Sequence, residues 1–179
     1  ILKNINFDVE QSEFVAIVGE VGSGKSLLLL SLLGEPGASF DQYELGLNNA
    51  QQLPLDQLRQ FYTFIPQEGF IMSASLRENV AFDYDVKPEQ VDKAVSQSLE
   101  LAQFQLQTER ISNGLDTEIG ERGVNLSGGQ KQRVSLARVD YHRAPIILMD
   151  DCLSAVDVDT ENKLISELIK GAWQKRTRI

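Results

Sequence analysis

The chain has 179 residues, 42% hydrophobic and 24% charged, which suits one globular domain with a sizeable core and room for an inserted subdomain. A formal net charge of −9 argues against a general nucleic-acid binder, because counterion release needs clustered Lys and Arg. The lone cysteine, Cys152, excludes an internal disulfide and fits a reducing compartment, and no apolar run approaches the ~20 residues that span a bilayer.

In chain order, "ILKNINFDVE" (1–10) alternates as a strand does, and "EFVAIVG" (13–19) reads as a short buried strand ending in Gly. "GEVGSGKS" (19–26) follows, with Gly19, Gly22, Gly24, Lys25 and Ser26 satisfying G-x-x-x-x-G-K-[ST]. Taken alone, such a stretch could be a flexible Gly/Ser turn. Between a strand and the helix predicted for "KSLLLLSLLG" (25–34), stopped by Gly34 and Pro36, it is a phosphate-binding loop. Its glycines let backbone N–H groups turn inward, and the helix adds its positive dipole end. Lys25 would reach the terminal phosphates, and Ser26 would ligate Mg²⁺.

A strand at "YELGL" and a short helix at "LDQLRQ" come next, then an apolar strand "FYTFI" (61–65) stopped by Pro66. From about residue 71 the character becomes helical. "SASLRENVAF" offers a Ser cap, and "KPEQVDKAVSQSLELAQF" starts with Pro. The Gly-rich "ISNGLDTEIGERGVNLSGGQ" leads into a helix at "KQRVSLARV". Lys131, Arg133, Arg138 and Arg143 read as one solvated helix face with a neighbouring loop residue. "PIILMDD" (145–151) returns to a buried strand, "VDTENKLISELIKGAW" to an amphipathic helix ending near Gly171, and "RTRI" to a strand just beginning. The pattern at both ends suggests an excised domain.

Asp150 leaves the carboxyl end of an apolar strand, where an acid beside a phosphate loop is placed to hold Mg²⁺. In "LSGGQ" (126–130), Ser127, Gly128 and Gly129 precede a helix beginning near Gln130, which makes a second anion cradle of backbone N–H groups. One nucleotide needs only one phosphate loop. A second cradle suggests nucleotide sandwiched between two chains.

With these motifs in this order, the chain resembles the nucleotide-binding domain of an ABC transporter over essentially all its length. The Walker A loop is 19–26, the Q-loop glutamine is Gln67, the signature is Leu126 to Gln130, Walker B is Ile146 to Asp150, and the D-loop is "SAVD" at 154–157. The resemblance implies an α/β P-loop NTPase fold, with a RecA-like core, a small antiparallel β part and an inserted α-helical signature subdomain. The core would take 1–70 and 141–179, and the helical subdomain 71–140. Nucleotide contacts would come from Gly19, Glu20, Val21, Gly22, Ser23, Gly24, Lys25, Ser26 and Leu27, and, toward a partner's ATP, from Ser127, Gly128, Gly129 and Gln130. Ser26, Gln67 and Asp150 would serve Mg²⁺, and Asp151, Gln67 and Lys25 the chemistry. Implied partners are a second, competent nucleotide-binding domain and transmembrane domains, with no nucleic acid, at the cytoplasmic face of a membrane. "SLRENVAF" and "DTEIGERGVNLSGGQKQRVSLAR" resemble exporter-type domains. "DDCLSAVD" fits both bacterial asymmetric multidrug-type exporters and the first nucleotide domain of the multidrug-resistance-associated subfamily, and the sequence leaves that choice open.

Three departures matter. Asp151 stands where the family usually has the Glu that polarises the attacking water; it pulls the carboxylate back by about 1.5 Å, one C–C bond. Either backbone adjustment compensates, or this site is the degenerate one of an asymmetric pair. The switch histidine and the adenine-stacking aromatic are both missing, as truncation would produce. His142, the only histidine, reads as a surface loop residue, Cys152 as a small packed residue, and Asp140 is given no role. Two other readings stay in play: a non-hydrolysing ATP-binding clamp, favoured by Asp151, and a soluble ABC ATPase of DNA repair or translation, disfavoured by the acidic balance and the TEIGERG stretch.

Overall fold

A three-stranded parallel sheet organises the chain. The computed structural model describes residues 2–35, 37–106, 111–121 and 123–179. Helix α1 (Lys25–Leu32) leaves the glycine loop directly. It ends where Gly34 N–H donates to Ser31 O at 3.0 Å and Glu35 N–H to Leu30 O at 3.2 Å, the Schellman pair that closes a helix on a glycine. The expected Pro36 stop lies outside the described residues. Strands β1 (Glu44–Leu45) and β2 (Asn48–Asn49) pair antiparallel across Gly46, whose φ of 61° folds "YELGL" into a hairpin where one strand was expected.

Helix α2 (Leu55–Gln60) leads into β3 (Tyr62–Ile65). Strand β4 (Ala74–Ser75) runs into α3 (Leu76–Ala81), and α4 (Pro88–Leu101) begins on its proline. The Ser75 cap is real: its hydroxyl accepts from Glu78 N–H while the Glu78 carboxylate accepts from Ser75 N–H, a capping box. Strand β5 (Glu118–Ile119) pairs antiparallel with β4, and α5 (Gly128–His142) follows. Arg122 of the TEIGERG stretch lies outside the described residues. Strand β6 (Ile146–Met149), helix α6 (Val158–Lys163) with its π-helical continuation Leu164–Ala172, and β7 (Thr177–Arg178) complete the chain.

The sheet order is β3-β6-β7, all parallel, with Tyr62 opposite Ile146 and Phe64 opposite Leu148. Side chains on a strand alternate between faces, and both faces here are covered, as parallel sheets require. Tyr62, Phe64, Ile146 and Leu148 pack with Leu29, Leu32 and Leu58 of α1 and α2. Ile65, Ile147 and Met149 pack on the other side with Val134, Leu136, Ala137, Leu164, Leu168 and Trp173. The result is a three-layer α/β arrangement, to which α3 and α4 are added beside α5.

Four expectations need correction. Residues 13–19 form no strand ladder. Phe14 alone bridges Arg178 in parallel, through Arg178 N–H to Glu13 O at 2.9 Å and Val15 N–H to Arg178 O at 2.8 Å. Strand β7 pairs with this stretch only at that bridge among the described residues. Residues 2–10 likewise carry no strand, and Ile1 is outside the described residues. The basic series is not one solvated face: Arg143 is exposed just past α5, as expected, but Arg138 is not. Arg138 lies 4.6 Å over the Phe82 ring and donates to Asn79 O and Phe70 O at 2.9 and 3.1 Å, and burial lowers its pKa to about 10. His142 is no loop residue but the last residue of α5, on its exposed end.

Asp140, without a role in the sequence, has a clear one here. Its carboxylate accepts from Trp173 Nε1–H and from the Ser98 hydroxyl, both at 2.8 Å, tying α5 to α4 and to the π-helical segment. Trp173 is 1% exposed, and a buried indole N–H needs such an acceptor.

Candidate nucleotide-binding site

The glycine loop turns sharply at Gly22 (φ 81°) and Gly24 (φ 98°), left-handed conformations that a Cβ would strain. Ser23 N–H closes the turn on Glu20 O at 3.2 Å. Gly24 is the N-cap of α1 and has no side chain to cap it; Leu28 N–H makes the first helical bond, to Gly24 O at 2.9 Å. The preceding amides of Lys25, Ser26 and Leu27 therefore have no helical acceptor, which is the donor set an anion needs. Lys25 Nζ donates to the carbonyls of Gly19 and Glu20 at 2.8 and 2.9 Å, holding the mouth of the loop together. An ammonium has three N–H donors, so one is left to turn toward a phosphate.

Strand β6 delivers the acids. Asp150 N–H donates to Ile65 O at 2.9 Å, so the residue sits just past the paired ends of β3 and β6. Ser26 Oγ donates to Asp150 Oδ1 at 2.9 Å, which joins the first turn of α1 to the end of β6 across 124 residues of sequence. A serine hydroxyl and a carboxylate side by side are hard oxygen ligands that suit Mg²⁺, an ion that commonly takes one or two protein carboxylates and completes its shell with phosphate oxygens and water. No cluster of three His, Cys, Asp or Glu side chains able to hold a metal occurs among the described residues.

Asp151 is exposed and carries φ 46°, a left-handed conformation for which Asp is among the better residues. Its Oδ2 accepts from Gln67 Nε2 at 3.4 Å. The structure thus brings Lys25, Ser26, Asp150, Asp151 and Gln67 to one edge of the sheet. Cys152, beside them, is 4% exposed, and burial pushes its thiol up to about 12, with Asp151 and Asp150 adding to the effect; it is the packed residue the sequence suggests.

The signature stretch is arranged differently. Helix α5 begins at Gly128, two residues earlier than the expected Gln130. Ser127 and Gln130 form a capping box, with Gln130 N–H to Ser127 Oγ at 3.3 Å and Ser127 N–H to Gln130 Oε1 at 2.9 Å. A Cβ on Gly129 would come within 2.9 Å of Ala155 O, so the 154–157 stretch rests against this turn. Ser127 and Gln130 bond to one another, and no hydrogen bond joins them to the glycine loop among the described residues.

Phosphate loop, sheet-edge acids and three-layer core together define a P-loop nucleotide-binding domain of the α/β class. The ABC transporter family model matches residues 2–154. The chain belongs to that family, whose ATP-binding domains are ATPases coupled to transport. It is 37% identical over 183 residues to "Probable multidrug resistance ABC transporter ATP-binding/permease protein YheI" of Bacillus subtilis, covering 99% of this chain and 30% of that protein. It is 38% identical over 178 residues to ABC transporter C family member 12 of Dictyostelium discoideum, covering 99% of this chain and 12% of the relative. A solved bacterial Atm1-family ABC exporter with ATP bound superposes with a TM-score of 0.80 at 31% identity, over 97% of this chain and 30% of that one. The chain therefore spans under a third of the length of these relatives. No helix among the described residues is long and apolar enough to cross a membrane.

Proposed function

We propose that this chain is the ATP-driven engine of a membrane exporter, working on the cytoplasmic face by closing against a second nucleotide-binding domain. The observation that carries the reading is the Ser26–Asp150 bond, which sets the phosphate loop and the sheet-edge acid at one point with Asp151 and Gln67 alongside. The loop amides and Lys25 would bind the triphosphate, while Gln67 and Asp151 would orient the attacking water. Ser26, Gln67 and Asp150 would hold Mg²⁺, which when bound would supply positive charge to the transferring phosphoryl group. Ser127 to Gln130 would complete the site built on the partner's loop, with the helical part 71–140 moving toward it; the absence of any described bond from these residues to the chain's own loop supports that division. The substitution of Asp for Glu supports a degenerate site here and a competent one across the interface.

The test is a pair of substitutions in the full-length parent protein. Ser127→Arg places a bulky cation where the cradle must close on phosphate, and most ATPase activity should be lost. Asp151→Asn should leave much of it, because the partner site continues to cycle. If Asp151→Asn stops hydrolysis as completely as Ser127→Arg, Asp151 is the working base of an essential site and the asymmetric reading is wrong.

A further inference from the structure

The loop that carries Gln67 is fastened to the helix that begins with the signature. Gln132, in the second turn of α5 and 1% exposed, donates from Nε2 to the carbonyl of Pro66 at 3.0 Å. Its Oε1 has no hydrogen-bond partner among the described residues, so the buried amide is held by its donor side alone. The loop meets the same turn again two residues past Gln67. A Cβ on Gly69 would come within 2.6 Å of the Lys131 carbonyl carbon and 2.8 Å of Gln132 N, so loop backbone rests on helix backbone there. Gln67 lies between these two attachments, with its own Nε2 3.4 Å from Asp151 Oδ2.

We propose that Gln132 is a positioning residue for the reaction: by holding Pro66 it sets the reach of Gln67 toward Asp151. The inference rests on the reading of this site as an ATPase site. A helix moves as a stiff unit, and Gln132 is five residues from the signature serine. A shift of the signature end, as it closes on the partner's nucleotide, is therefore delivered to Pro66 and on to Gln67. The two sites of the pair become mechanically linked through one buried amide, and contact between Gln132 and ATP is not needed.

The experiment uses the full-length parent protein. Gln132→Met keeps length and burial but removes the donor. Because geometry in a catalytic site tolerates little error, the single-turnover rate at this chain's own loop, measured with the partner's site inactivated, should fall about tenfold while the Kd for ATP stays within about twofold. Added to Gln67→Ala, Gln132→Met should cause no further loss, since residues acting through one another are not additive. Amide hydrogen exchange at residues 67–70, measured without nucleotide, should quicken. Gln132→Glu, with the same shape but a carboxylate facing the Pro66 carbonyl, should reproduce the Met result and guards against a folding defect peculiar to Met. Additive losses with Gln67→Ala, or a Kd that rises in step with the fall in single-turnover rate, would overturn the proposal. A parent protein that hydrolyses no ATP would sink the ATPase reading instead; exchange then decides, with faster exchange at 67–70 supporting the role of Gln132 and unchanged exchange refuting it.

Discussion

Restoring the longer acid at position 151 sets two effects against each other, and the structure gives a size to both. Asp151→Glu advances the carboxylate by about 1.5 Å, one C–C bond. If the present carboxylate is set back by ~1 Å or more from where water must be polarised, recovery could reach ~10²-fold in the chemical step, about 2.7 kcal/mol of barrier. The backbone resists. Asp151 sits at φ 46°, a region where short Asp side chains are enriched and longer ones are not. Glu there should cost on the order of 1 kcal/mol, or about 2–4 °C in the melting temperature of a domain of this size. The expected outcome is a faster and less stable protein. Single-turnover hydrolysis in the full-length parent, with the partner's site inactivated, reads the first effect, and thermal denaturation reads the second. A Glu variant that turns over no faster than wild type would refute the argument that side-chain length limits this site. One that is more stable would refute the backbone argument.

Nucleotide affinity should depend on Lys25 far more than on Asp151, because in the proposed site Lys25 binds the triphosphate and Asp151 only the attacking water. Lys25→Ala should weaken ATP binding by tenfold or more, on the basis that charge-assisted bonds contribute about 1.5–3 kcal/mol, and Asp151→Ala should leave it within about threefold by equilibrium titration. Equal losses would undo the assignment of roles. At the other end of α5, Asp140→Ala would strand the Trp173 indole N–H and the Ser98 hydroxyl, at about 1–3 kcal/mol for each buried group left unpaired. Asp140→Asn should be nearly neutral, since its amide can accept from the indole and donate to the serine; a thermal-shift comparison in which Asn is as damaging as Ala would show that charge, not hydrogen bonding, is what Asp140 supplies.

The residues gathered at the sheet edge are legible in the sequence because they follow local rules. A glycine loop before a helix, an acid at the end of an apolar strand and a Ser cap with Glu three residues on each need only their neighbours in sequence. What the sequence does not show depends on contacts remote in the chain. Arg138 looks like one of a solvated series until Phe70 and Phe82 are folded against it. Asp140 is unexplained until α4 and Trp173 arrive. "EFVAIVG" has the composition of a buried strand, and Ile17 does pack against the Leu148 side of the core, but the only pairing it makes among the described residues is the bridge at Phe14 to Arg178. The grouping of Gln67 with Asp151 was expected from the family resemblance. The anchoring of that loop by Gln132 was not, because a lone Gln in a helix has no signature until the carbonyl it binds is known.

Helix α5 has one more consequence, and it concerns leverage. Its 15 residues carry the signature cap at one end and the Asp140 anchor near the other. Thirteen residues separate Ser127 from Asp140, or about 20 Å at 1.5 Å per residue. If Asp140 acts as the pivot, a tilt of only 10° swings the Ser127 end through about 3.5 Å, more than the length of a hydrogen bond. Gln132, a little over halfway out from the pivot, travels about 2 Å in the same swing. On the proposed sandwich with a second domain, a small rotation at the buried Trp173 end would thus be geared up into the difference between a signature that touches phosphate and one that does not, while the Gln67 loop would receive a smaller, proportionate share of the stroke.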